Sequence, residues 1–297
     1  MSVVEALREF AASWDLFGDS YLVGWLVLVI LSMTGVIVVA RDQIFIGAAV
    51  SQASALGIAF ALWLASLPSL AGAEWLAAAS EDPHGSPFVA ACAVLFSVGA
   101  AVLTSRAGAA GGTTHESLTG WVFLACASVS VLLVAHTPHG MEEVQRLLAP
   151  ELIGATREEV WLFAALAAAV GAALLVVRRR ALLVLTDEEM AAALGIRTAA
   201  WNVGLSVLLG VVVGLSLRCV GAFYTFAGLV LPCLAARNLC RRLLPMLVVG
   251  PAIGLGSGVA AFVVAHRLDL PLVQAAVAVL SAVVAGTAVF RLLRPKN

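Results

Sequence analysis

From Tyr21 to Ala40 the chain runs without one charged side chain, and it does so eight times more, over 44–68, 87–105, 119–135, 160–177, 199–217, 219–236, 243–265 and 271–290. A hydrocarbon core ~30 Å thick takes about 20 apolar residues of helix to cross. Backbone amides left unpaired in lipid are too costly to keep, so runs this long and continuous read as transmembrane helices. The expected fold is all-α, a polytopic transmembrane bundle of about nine spans. Arg218 alone parts the sixth and seventh runs. A helix-loop-half-helix hairpin there would make the count eight, and a broken second span would make it ten.

Composition enters as an exclusion. Only 12% of the 297 residues are charged, against about 25% in soluble domains, so a soluble globular domain is ruled out. The 17 Lys plus Arg nearly cancel 18 Asp plus Glu, which leaves no basic surplus for nucleic acid. Residues 1–20 read as an N-terminal outside segment with room for a short interfacial helix. No small-residue cleavage site follows a short apolar stretch there, so the first helix is expected to be retained. Residues 21–297 then form a single transmembrane domain.

Orientation follows from the excess of Lys and Arg on cytoplasmic connections. Nine crossings place 12 of the 17 basic residues on one side, among them Arg41, Arg106, Arg178, Arg179, Arg180, Arg197, Arg237, Arg241, Arg242 and the tail from Arg291. That side is expected to be cytoplasmic, with the N-terminus outside and the C-terminus inside. Arg8, Arg146, Arg157, Arg218 and Arg267 fall outside, with most of the acidic residues.

Catalytic chemistry finds no footing. No nucleophile has an oriented base near it in the pattern, and no HExxH occurs. The span interiors contain no Asp, Glu, Lys or Arg, whereas ion-coupled transporters place such groups at mid-membrane. A passive channel, a structural membrane subunit or a pore powered by another protein remains. No cofactor is called for. Five cysteines, Cys92, Cys126, Cys219, Cys233 and Cys240, lack any CxxC spacing and read as small packing residues. His136 and His139, followed by Glu142 and Glu143, have a spacing that suits weak outer metal capture or a solvated loop cluster. In the second run Ser51, Gln52 and Ser54 are three polar side chains in four positions, suited to interhelical hydrogen bonds or to lining a pathway.

Two connections on the basic side look structured. Within 178–198, Thr186 or Asp187 could cap a short helix whose first turn is acidic and which Gly195 could end. Between Pro232 and Pro245, PCLAARNLCRRLLP mixes apolar and basic faces, as a helix on lipid headgroups or against a soluble partner would. Gly210 and Gly214, and Gly250, Gly254 and Gly258, repeat at the spacing of close helix packing.

Three segments together resemble a known family, the integral-membrane permeases of ABC importers for zinc, manganese and iron. They are Arg41 through Gly57 (R-x5-G-x3-S-x5-G), Asp187, Ala191 and Gly195 (D-x3-A-x3-G), and the stretch from Val220 and Gly221 to Pro232, Ala235 and Ala236 (VG-x10-P-x2-AA). The likeness covers roughly residues 20 to 290. It implies a permease that dimerises, takes substrate from an outside binding protein and is driven by a cytoplasmic ABC ATPase, without an ATPase site of its own. It also implies cytoplasmic coupling segments near 186–196 and 235–243. Asp187, Ala191 and Gly195 belong to the first, and Ala235, Arg237, Arg241 and Arg242 to the second, the arginines facing acidic ATPase side chains.

The chain departs from that family at one chemically decisive place. Family members typically read G-D-x-x-S-H in the second helix, putting two metal ligands on one face. Here Ala48 and Gln52 stand in those positions. Leu56 replaces an expected Pro before Gly57, and Glu188 another after Asp187. The resemblance therefore implies an importer for a metal ion or a metal chelate in the cell (inner) membrane, with Ala48, Ser51 and Gln52 as pathway positions. A symmetric homodimer would lack a tight zinc or manganese site there, unless a second, non-identical permease supplied the ligands. The alternatives are a non-transporting membrane scaffold or regulatory subunit that keeps the fold, or a channel or secondary transporter.

Overall fold

The computed structural model describes residues 14–67, 86–107, 115–135, 155–240 and 242–293. Among them lie nine helices and no strand: α1 (Trp14–Ala40), α2 (Ile44–Ala65), α3 (Pro87–Ala107), α4 (His115–Val134), α5 (Arg157–Thr186), α6 (Glu188–Ala193), α7 (Thr198–Leu239), α8 (Leu243–Leu268) and α9 (Leu272–Leu293). All except α6 are long and apolar enough to cross a membrane. The all-helical bundle expected from the apolar runs is the observed fold.

Helices overrun the apolar stretches that define them. α1 already begins at Trp14, inside the segment expected to precede the first span. α5 continues to Thr186, carrying the exposed triplet Arg178 to Arg180 as helix. Its start is fixed by a capping box: Glu159 N–H donates to Thr156 Oγ1 at 3.4 Å, and Thr156 N–H donates back to Glu159 Oε2 at 3.0 Å.

α7 departs most from nine separate runs. Its 42 residues at 1.5 Å rise would extend roughly 63 Å, about twice the hydrocarbon core. Gly221 interrupts it with φ 73° and ψ 176°, a conformation essentially reserved for glycine. The break falls three residues beyond Arg218, the divider that charge alone suggested. Both halves keep a length that crosses a bilayer.

The chain divides into two compact units, and the Gly221 break lies next to the border between them. The first unit holds α1, α5, the second half of α7, α8 and α9. In it Tyr224 donates to the Gly24 carbonyl at 3.0 Å, the Cys233 thiol to the Ser32 carbonyl at 3.0 Å, and Arg237 to Asp42 at 2.6 Å. Partner numbers rise together, so this half of α7 runs parallel to α1. Val36, Val39, Cys233, Ala236 and Met246 close the seam. Tyr21 and Trp25 stack beside Phe262 near the start of α1, where an aromatic belt is expected at a lipid–water boundary.

The second unit holds α2, α3, α4 and the first half of α7. Ser97 donates to the Gly210 carbonyl at 2.7 Å, and Arg218 to the Ser86 carbonyl at 3.4 Å. Falling partner numbers make this half of α7 antiparallel to α3. A Cβ on Gly210 would come within 2.5 Å of the Val98 Cα, and one on Gly214 within 2.8 Å of the Val94 Cα. The small-residue repeat thus lets two backbones touch, which matters where lipid supplies no hydrophobic drive between helices. Ala55, Ile58, Ala61, Val89, Cys92, Ala93, Leu217 and Ala222 form one core cluster of this unit, and Ala49, Ala53, Ala100 and Val122 another.

Candidate functional site: a neutral helix face and two connecting segments

α2 carries Ala48, Ser51 and Gln52, the positions expected from the sequence to line a pathway. Ala48 and Gln52 are one turn apart on an unbroken helix and both half-buried, so they share a face. Ser51 is buried and donates to the Gly47 carbonyl at 2.8 Å within its own helix. Ser54 is buried and donates across to the Gly214 carbonyl at 3.5 Å. Of the three polar residues read from the sequence, one therefore bonds between helices, one bonds locally, and Gln52 lies on the half-buried face. Gly57 approaches the Cys92 carbonyl so closely that no Cβ would fit, which explains a glycine at that point of the α2 pattern. Among the described residues no group of three or more His, Cys, Asp or Glu gathers to hold a metal ion. His136 and His139 lie outside the described residues.

The D-x3-A-x3-G spacing becomes three roles one turn apart. Asp187 Oδ1 accepts the Met190 N–H at 2.8 Å and caps α6. Ala191 is fully buried and anchors it. Gly195, at φ 78°, ends it, with Ile196 N–H donating to the Ala191 carbonyl at 3.0 Å. Met190 and Leu194 stand exposed on this short element.

The second segment corrects an expectation. PCLAARNLCRRLLP forms no helix of its own: α7 continues through Pro232 to Leu239, and α8 begins at Leu243. The physical reason is packing, since Ala235 and Ala236 are fully buried and Ala236 lies against Val36 and Val39. Ala235 is accordingly a core residue of the first unit. Arg237 is exposed but already paired with Asp42. Arg242 is exposed on the extended link before α8, and Arg241 lies outside the described residues. Asn238 donates to Thr287 Oγ1 at 3.3 Å and accepts from Arg291 at 3.4 Å, tying the end of α7 to α9.

The turn between α1 and α2 reaches both segments. Asp42, in a left-handed conformation at φ 52°, pairs with Arg237. Burial lowers the pKa of the Arg41 guanidinium, and the Glu188 carboxylate pulls it back up. Sequence reasoning missed Asp42 and Glu188 as partners, because they stand far from Arg237 and Arg41 in the chain and no local pattern marks them.

A sequence model of the ABC 3 transport family matches residues 14–291, nearly the whole chain. The chain belongs to the ABC 3 transport family. With its apolar helices, this family member is an integral, multi-pass membrane protein of transport. Its fold is shared with solved structures at low identity. A chain of PsaBC from Streptococcus pneumoniae, solved with a Fab, superposes with a TM-score of 0.77 at 15% identity over 95% of each chain. A transporter described as of metal-chelate ABC type, in an inward-facing conformation, gives a TM-score of 0.69 at 19% identity over 94% of this chain and 88% of that one. No curated protein sequence matches this ABC 3 family member.

Proposed function

We propose that the chain is the permease subunit of an ATP-driven ABC importer for a metal ion or metal chelate. It forms one permease domain in the cell (inner) membrane, with its N-terminus outside and its C-terminus cytoplasmic. The observation that carries the reading is the family match across residues 14–291. The fold shared with a transporter described as of metal-chelate ABC type supports the substrate class. The sequence contains no G-x4-GK[ST], so ATP chemistry belongs to a cytoplasmic ABC ATPase on another chain.

In this reading a dimer of permeases receives substrate from an outside binding protein. Closure of the ATPase moves segments 186–196 and 235–243, and the pathway beside Ala48, Ser51 and Gln52 opens alternately to each side. Ala48 cannot ligate, and the Gln52 amide is a neutral, weak donor atom for zinc or manganese. A homodimer therefore carries a metal already held by a chelator, whereas a heterodimer with a non-identical permease takes its ligands from that second chain. Uptake by proteoliposomes containing permease, ATPase and binding protein tests this, comparing free with chelated metal. ATP-dependent accumulation is the expected result.

The same neutral pair favours a second reading, a scaffold that keeps the fold without transporting. Substrate-stimulated ATP turnover separates the two. Installing Ala48→Asp with Gln52→His is expected to create zinc or manganese retention in the purified subunit. Stoichiometric metal held by the unmodified homodimer and lost on Gln52→Ala would sink the neutral-pathway argument.

A further inference from the structure

Arg218 sits at the end of the first half of α7, and Ser86 immediately precedes α3. Arg218 Nη1 donates to the Ser86 carbonyl at 3.4 Å, a long bond that uses one of five guanidinium donors. Its Nε is buried without an acceptor. Ser86 is only 4% exposed, and its hydroxyl is also buried without a partner. The Ser86 carbonyl is engaged twice, by Arg218 and by the Ala90 N–H at 3.2 Å. Because Arg218 touches Ser86 itself, the two unpaired donors lie within one side chain's reach. The positive end of the α3 dipole adds to them.

Among the described residues no carboxylate pairs with Arg218. Water satisfies unpaired donors but leaves the charge uncompensated, whereas an oxyanion does both, and the Nε and Nη edge of a guanidinium matches carboxylate and phosphate geometry. We propose that Arg218 and Ser86 form an oxyanion-binding site in the second unit, taking a carboxylate or phosphate group. Burial of both donors marks the present conformation as one with the site closed, so binding accompanies a local opening between α3 and α7. The source that fits the rest of the chain is the carboxylate of a metal chelate, since α2 offers a bare cation only the weak, neutral Gln52 amide. That last step rests on the importer reading; the site does not.

The experiment uses the full-length subunit in nanodiscs of phosphatidylcholine, without ATPase, so a failed importer reading leaves its outcome intact. Citrate, ferric citrate and inorganic phosphate are titrated by calorimetry, and the series is repeated in discs containing phosphatidylglycerol. Citrate binding that falls at least tenfold in Arg218→Gln, falls severalfold in Ser86→Ala and is partly kept in Arg218→Lys is the expected result. Loss of citrate binding only in phosphatidylglycerol discs supports the site and assigns its anion to lipid phosphate. Indifference of the wild type to all three anions and to phosphatidylglycerol overturns the proposal, as does wild-type affinity in Arg218→Gln. Should Arg218→Gln fail to insert, unchanged affinity in both Ser86→Ala and Arg218→Lys overturns it.

Discussion

Two arginines on one helix are treated in opposite ways. In the first unit Arg237 is 45% exposed and meets Asp42, itself 73% exposed, at 2.6 Å. In the second, Arg218 is half-buried, reaches only a carbonyl, and keeps a buried Nε unpaired. Water and a counter-ion cover the first charge, so its net worth is small. Among the described residues no counter-ion meets the second, which is only partly open to water, and that contrast is the ground for the oxyanion site proposed above.

The comparison can be broken at its edges. Beside the paired Arg237, Arg242 is exposed and meets no counter-ion among the described residues, and the importer reading proposed above assigns it to a soluble partner. Reversing Arg241 and Arg242 to Glu is expected to have the largest effect, several kcal/mol of like-charge repulsion at an ATPase cleft. Pull-down of the ATPase and its turnover should both collapse while the subunit still inserts. Unchanged recovery and turnover would assign these arginines to lipid headgroups.

Gly221 separates the two arginine-bearing halves. Forcing a Cβ into φ 73° and ψ 176° with Gly221→Ala is expected to cost about 1–3 kcal/mol. Thermal unfolding in detergent reads this, and an unchanged melting temperature would mean the break does not need its glycine.

A sharper contrast is one of sign. In anion-free buffer Arg218→Met should stabilise by up to about 1 kcal/mol, because it removes an uncompensated charge, whereas Arg237→Met should destabilise by less than about 1 kcal/mol. Adding citrate should erase the Arg218→Met advantage and leave Arg237→Met unaffected. Equal shifts of the same sign would remove the distinction. Smallest of all, a double-mutant cycle across Asp42 and Arg237 should give about 0.2–1 kcal/mol, shrinking in high salt.

Much of the architecture was legible because lipid is a strict solvent. The charge-free runs located every long helix, although α1 and α5 extend well past theirs and two runs join in α7, and Asp187 and Gly195 marked the ends of α6 through local capping chemistry. Misreadings fell where packing overrules composition. PCLAARNLCRRLLP has the look of an amphipathic surface helix, yet both its alanines are buried, Ala236 against α1. Arg218 looked like the divider between spans, while the backbone breaks at Gly221, because only glycine adopts that conformation without cost.

The sequence by itself determined that this is a membrane-spanning helical protein, and that positions 48 and 52 carry the neutral side chains of Ala48 and Gln52. Hydrophobic length and residue chemistry are local properties, and they need no fold to be read. Only the tertiary structure decided which arginines are paired. Asp42 with Arg237, Glu188 with Arg41 and Ser86 with Arg218 are brought together by helix packing across more than a hundred residues of chain, and no spacing rule connects partners that meet only when the helices do.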